Sequence, residues 1–201
     1  MQKQIIILFL LALVLSFGLF LVLKGSGTQT RQRDAFMSFN QERVYSFEVN
    51  HFTLGYLFRK IDGVWHVKRI KNDLVQRLEK EKSVSLLKED DTFSLANLER
   101  VSRAITYLFA LPDLSPISKG GGDPAMFEIN DHSLHVIFYG IDNLEIERIS
   151  IGKTGPDMMS SFIKRSGSKE IFLAQQDFRQ LFLKSFEEWK LLEKKINDQK
   201  E

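Results

Sequence analysis

The chain has no cysteine. That excludes disulfides, thiolate metal sites, cysteine nucleophiles and a lipoprotein-type N-terminal cysteine. It leaves the compartment open, because many exported proteins also lack the residue. An excess of positive charge is missing as well. Of the 28 Lys and Arg residues, Lys3 and Lys24 fall within residues 1–24, which hold no acid; the rest of the chain sets 26 cations against 26 acids. Nucleic-acid binders carry a basic stripe that displaces counterions, so this balance argues against a nucleic-acid partner. Histidines, the only metal candidates, number four. His132 and His135 are three apart, a spacing that points them to opposite faces of a strand. His51 reads as a turn residue and His66 as part of a hairpin strand. The three or four converging ligands of a zinc site are therefore not expected.

Catalytic signatures are missing too. There is no Gly-x-Ser-x-Gly elbow and no His-Glu-x-x-His helix. Gly152-Lys153-Thr154 resembles the end of a phosphate-binding loop. The pattern needs a glycine where Glu147 stands, and Pro156 follows where a helix should begin. The segment reads as a strand exit. Gly120-Gly121-Gly122 reads as linker. Asp142, Glu145 and Glu147 could form an acid/base pair, but a turn and the wet face of a strand explain their alternating charge. Met158-Met159 and Phe162 read as ordinary packing, with an adaptable contact surface as the alternative. The expectation is no catalytic, cofactor-binding or metal-binding residue, and no cofactor.

What the chain does have begins with Ile5–Leu23, "IIILFLLALVLSFGLFLVL", nineteen residues without a charge. As a helix at ~1.5 Å per residue it would reach ~28 Å, close to the ~30 Å apolar core of a bilayer. A core helix would show a polar face, and this run has none. It reads as a transmembrane signal-anchor within residues 1–24. A cleavable signal peptide is the competing reading, with small residues at Gly25-Ser26-Gly27. The run is longer than an ordinary signal core, and Lys24 interrupts the approach to the site. Lys24, Arg31 and Arg33 oppose Lys3 under the positive-inside rule. A four-residue tail before a long apolar run nevertheless favours an uncleaved anchor with the bulk of the chain outside the cytoplasm. Residues 25–43, opening with "GSGTQTRQR", read as a stalk.

Beyond the stalk, "FEVNHFTLGYLFRKID" from Phe47 returns as "FEINDHSLHVIFYGID" from Phe127. Seven positions are identical without a gap: Phe47/Phe127, Glu48/Glu128, Asn50/Asn130, Leu54/Leu134, Phe58/Phe138, Ile61/Ile141 and Asp62/Asp142. The apolar alternation changes phase at Asn50-His51 and again near Asn130-Asp131, so a tight turn between strands is expected at both. Asp62-Gly63 is a strong hairpin signal and Asp142-Asn143 a weaker one. Each copy should open as a three-stranded meander. Apolar residues at helical spacing follow in 94–111, with Ser94 as N-cap, and in 172–196, capped near Asp177. "LA" precedes both helices. Residues 161–165 and 170–174 look like a hairpin around Gly167, and 71–91 like a short helix and a loop. The organisation expected is 44–111 as a first α+β repeat, 112–125 as a linker, 126–190 as a second repeat and 191–201 as a charged helical tail. The fold class is α+β, a duplicated meander-plus-helix unit forming a two-layer sheet/helix domain.

Several of these segments also resemble a known family. The strand–Asp-Gly–Val-Trp hairpin at 54–67, the strand exit at Ile151-Gly152 and the hairpin from Phe162-Ile163-Lys164-Arg165 to Ile171-Phe172-Leu173 are similar to the bacterial domain of unknown function 4340, over about residues 44–190. The resemblance implies a membrane-anchored protein whose globular part lies outside the cytoplasm, encoded beside ABC-transporter subunits of the gliding-motility type. It implies no catalytic residues. The functional expectation is a non-enzymatic, single-pass accessory or scaffold protein of the bacterial inner membrane, with ABC-transporter subunits or other envelope proteins as partners. The alternatives are an extracytoplasmic ligand-binding module with a cleft between the repeats, and an enzyme built from histidines and carboxylates.

Overall fold

The computed structural model describes residues 36–191, apart from 53, 83–84, 86–87, 113 and 119–121. The anchor expected at 5–23, most of the stalk and the tail beyond 191 lie outside the described residues. Among those described, no helix is long and apolar enough to cross a membrane.

Among the described residues the fold is α+β, with four α-helices and one antiparallel sheet of nine strands. The strands are β1 (Ser46–His51), β2 (Leu54–Ile61), β3 (Val64–Arg69), β4 (Ser94–Leu95), β5 (Pro116–Ser118), β6 (Leu134–Tyr139), β7 (Glu145–Thr154), β8 (Ser161–Arg165) and β9 (Ile171–Ala174). Their order across the sheet is β4-β3-β2-β1-β6-β7-β8-β9-β5. Two meanders thus run outward from a central seam where β1 pairs with β6. The helices are α1 (Asp73–Lys82), α2 (Leu98–Phe109), α3 (Phe178–Phe182) and α4 (Phe186–Trp189).

Period-two alternation decides which face is dry. Phe47 and Val49 of β1, Tyr56 and Phe58 of β2, Trp65 and Val67 of β3, Leu134, Val136 and Phe138 of β6, and Ile149 and Ile151 of β7 share one core. Val101, Ala104, Ile105 and Leu108 of α2 join it, with Phe178, Phe182, Phe186 and Trp189 of α3 and α4. Phe47 stacks on Phe58 at 4.4 Å, and Phe58 meets Trp189 edge-on at 4.9 Å. Offset and edge-on aromatic pairs of this kind add ~0.5–1.5 kcal/mol each beyond area burial.

The turns follow their residue types. Asp62 and Gly63 both adopt positive φ, 52° and 79°, and close the β2–β3 hairpin. Asn143 at 59° turns β6 into β7, and Gly167 at 74° turns β8 into β9. Asp177 caps α3 through the Gln180 amide.

Other expectations are corrected. The repeated phrase takes two shapes. Leu54–Ile61 and Leu134–Tyr139 are strands, but Phe47–Asn50 is a strand whereas Phe127 ends a 3-10 turn and Glu128 is left-handed at φ 56°. Only half of the phrase alignment therefore matches in backbone. The turn expected at Asn50-His51 falls later, because both residues pair within β1 and the chain reverses from Phe52, at φ 48°. Ser94 lies in β4, and Asn97 caps α2 instead, accepting from Arg100 N. The single helix expected over 172–196 is β9 followed by two short helices. The Ser185–Glu188 capping box starts α4 afresh, and the chain then runs extended, with Lys190 bridging Ala96. Leu192 and Ile196 lie outside the described residues. The linker 112–125 supplies an edge strand, β5, paired to β9. The stalk boundary at 43 is too late, because Phe36 and Met37 are buried in the core.

Candidate functional site

Alternation that sends Phe47 and Val49 into the core turns Glu48 and Asn50 to the opposite face. The same logic turns out His135, Ile137 and Tyr139 from β6 and Arg148 from β7. Register aligns them across strands: Glu48 stands opposite Ile137, which stands opposite Arg148, while Asn50 stands opposite His135, which stands opposite Ser150. This row forms the floor of a cleft of about 350 Å³ lying over the central seam.

Segment 70–77, the chain between β3 and the second turn of α1, supplies the far wall. Two residues bring it there. Gly55 lets the Ile70 backbone come close, since a Cβ at position 55 would sit 2.5 Å from the Ile70 carbonyl oxygen. Asn72, 8% exposed, then pins the turn. Its Nδ2 donates to the Phe52 and Leu54 carbonyls at 2.8 and 3.2 Å, and its Oδ1 accepts from the Val75 amide at 2.9 Å. That last bond satisfies one of the amide donors that every helix start leaves free.

The cleft's polar groups divide sharply. Its cations are engaged: Arg148 makes a two-point contact with Glu145 at 2.9 and 3.2 Å, and Lys71 meets Glu79 at 2.7 Å. Arg77 donates through Nε to the Asp73 carbonyl at 3.3 Å. Its carboxylates Glu48, Asp73 and Asp131 form no ion pair among the described residues. Glu48 accepts from Asn50 Nδ2 at 3.1 Å. Asn50 Oδ1 is buried with no partner. Burial and the Glu48 carboxylate push the Tyr139 hydroxyl well above the ordinary tyrosine range. Burial, with Arg148 nearby, pulls His135 below the ordinary histidine value. Burial, with Arg179 nearby, does the same to His51.

Hydrogen bonding fixes the His135 tautomer. The Ser133 hydroxyl donates to the Asn130 carbonyl at 2.6 Å, so toward His135 Nε2, 3.4 Å away, it can only accept. Nε2 therefore carries the proton. Nδ1 is left to accept from the Ser150 hydroxyl at 3.1 Å. This is a nucleophile-and-base contact in form. Ser150 sits mid-strand in β7 and His135 second in β6, both in registered pairs with the strands on either side, where backbone N–H groups are engaged in pairing. No oxyanion hole can form there.

The residues weighed from the sequence fall elsewhere or take plain roles. Lys153 and Thr154 end strand β7, and a Cβ at Gly152 would collide with the Phe127 carbonyl. Gly120 and Gly121 lie outside the described residues. His132 is exposed in the turn before β6, its ring 5.7 Å from Phe52, and His66 Nδ1 donates to the Val64 carbonyl at 3.0 Å. Among the described residues, no three His, Cys, Asp or Glu converge as metal ligands. Glu147 is not on a wet face. It is 8% exposed and bonded to Arg165 at 2.6 and 2.8 Å. Met158 and Met159 are exposed, while Phe162 packs with Ile129 and Ile171 in a second small cluster. Glu48, Asn50, Tyr139, Arg148 and Asn72 were not singled out as a site. The signal lay in "FEVN": polar residues alternating on a strand central to the sheet call for a partner on its second face.

No protein-family model, no curated protein and no solved structure matches this chain.

Proposed function

We propose that this protein is a non-enzymatic, membrane-anchored accessory or scaffold component of the bacterial cell envelope. In this reading residues 1–24 anchor it, and two related meander-plus-helix halves form its extracytoplasmic domain. The family resemblance names ABC-transporter subunits as the partner class. The observation that carries the non-catalytic part is the setting of the Ser150–His135 contact, which lies within strand ladders whose backbone N–H groups are taken up in pairing. The uncharged run at 5–23 carries the anchor. Alkaline carbonate extraction of native membranes should leave the chain in the pellet; release into the supernatant overturns the anchor. Affinity purification in mild detergent should retain a membrane partner, and recovery of the chain alone, under conditions that keep other complexes intact, overturns the scaffold.

The cleft favours a second reading, an extracytoplasmic ligand-binding module. Its volume falls in the range of small-molecule sites, ~300–1,000 Å³. It sits where the two halves meet, and it holds a buried acceptor with no partner.

A further inference from the structure

Resting on the second reading, we infer that the cleft recognises a primary alkylammonium group. Three observations converge on that chemistry. Glu48, Asp73 and Asp131 line the cleft without an ion pair, whereas Lys71 and Arg148 are each matched to a carboxylate, leaving Arg77 as the one unmatched cation among the described lining residues. Asn50 Oδ1 is a buried acceptor beside Glu48 and lacks a donor. A buried acceptor left unpaired costs ~1–3 kcal/mol, so a donor entering here gains more than it would at the surface. An ammonium has three donors and no acceptor, which is the complement of Glu48 and Asn50.

The apolar part of the lining selects the rest of the ligand. Ile137 lies on the floor between Glu48 and Arg148, and Ile70, Leu74 and Phe52 stand around it. Phe52 is 53% exposed at the mouth, at the positive-φ turn. Aliphatic groups beside the Glu48 carboxylate fit a methylene stem ending in a cation. A bare metal ion does not fit, since no set of three ligands converges among the described residues. The stem and head could belong to a free diamine or to a lysine side chain of a partner protein. The recognising chemistry is the same for both.

The test uses the full chain in mild detergent and isothermal titration with three probes: 1,5-diaminopentane, 1,5-pentanediol and a capped peptide, acetyl-Ala-Ala-Lys-Ala-Ala-amide. Saturable binding of the diamine or the peptide is expected, with the diol at least ~10-fold weaker, equivalent to ~1.4 kcal/mol. Tight diamine with weak peptide identifies a free amine as ligand, and the reverse identifies a partner lysine. Glu48→Gln should weaken the bound amine at least ~10-fold while its thermal midpoint stays near that of the parent chain. Should Glu48→Gln unfold, Asn50→Ser serves in its place, with the same loss expected. Equal binding of diol and diamine overturns the ammonium while leaving a ligand cleft. Absence of saturable binding for all three probes overturns both. Binding unchanged in a folded Glu48→Gln or Asn50→Ser chain removes the assignment to this cleft.

Discussion

Replacing Arg165 by methionine tests the ion pair that holds the most buried paired carboxylate among the described residues. The Glu147 side chain is 7% exposed and that of Arg165 29%. Arg165 donates twice to Glu147 Oε2, at 2.6 and 2.8 Å, then to the Phe36 carbonyl at 3.1 Å and the Ser38 hydroxyl at 3.0 Å. Removing one partner of a fully buried pair costs ~3–5 kcal/mol, because a charge is left without compensation. Water can reach this site past the partly exposed Arg165, so the expected loss for Arg165→Met is about 2–4 kcal/mol, including its bonds to residues 36–38. The double variant Glu147→Leu/Arg165→Met carries no orphan charge and should recover to within ~1 kcal/mol of the parent. Urea unfolding of the detergent-solubilised chain, followed by the fluorescence of buried Trp65 and Trp189, reads both changes. A loss below ~0.5 kcal/mol for the single variant, or a double variant as weak as the single, would refute desolvation of Glu147 as the governing effect.

Three further outcomes are expected. Gly55→Ala should destabilise by ~1–3 kcal/mol, since its Cβ meets a backbone oxygen that cannot rotate away, and should lower hydrogen-exchange protection of the Val75 amide; an unaffected Val75 amide would show that segment 70–75 is not held by this close approach. Ser185→Ala should cost ~1 kcal/mol in the urea midpoint by deleting the α4 capping box, and an unchanged midpoint would assign the helix break to the Lys190–Ala96 bridge alone. Acidification from pH 7.5 to 5 should lower stability, because His135 titrates in the fold below its ordinary value. A depressed value contributes stability above the unfolded pKa, and that contribution is lost as pH falls through the folded one. Arg148 and Asp131 face this ring with opposite effects. His135→Gln should flatten the pH dependence without abolishing it, because His51 is shifted the same way; an equally steep decline would exclude His135 as a source.

Local chemistry was legible where one or two residues decide the backbone. Asp62-Gly63 and Gly167 announced hairpins through positive φ, and Asp177 announced a helix start. The errors arose where distant pairing overrides local preference. Residues 172–196 carry a helical stripe, yet Lys190 and Leu191 pair alongside Leu95–Asn97, so the helix must stop. Glu147 looked wet because its strand alternates charge, but its register opposite Phe138 turns it to the core side, where Arg165 and the Arg148 amide compensate its carboxylate. The short β5 in a Pro- and Ser-rich stretch gave no periodic signal at all. It exists because the outer edge of β9 was open to pairing.

The unequal fate of the repeated phrase explains why the Glu48–Asn50 arrangement is not built a second time by Glu128 and Asn130. Glu48 and Asn50 recur as Glu128 and Asn130, and identical residues in identical backbones would build identical sites. Instead Glu128 is left-handed and lies 3.7 Å from Arg179, while Asn130 closes the turn that supports Ser133 and His132. In space β6 stands beside β1, so the strand that repeats β2 in sequence occupies the place of a second β1. The far wall is equally one-sided. The chain from β3 to β4 carries α1, whereas only residues 155–160 join β7 to β8. Of the second copy's pair, Asn130 supports the floor of the first copy's cleft: its backbone carbonyl accepts from the Ser133 hydroxyl, which in turn contacts His135 Nε2. Under the proposed binding role, Asn130→Ala, which removes the acceptor of the His132 amide, should weaken diamine binding in the calorimetric titration although Asn130 does not line the cleft; unchanged binding would show that this turn does not support the floor.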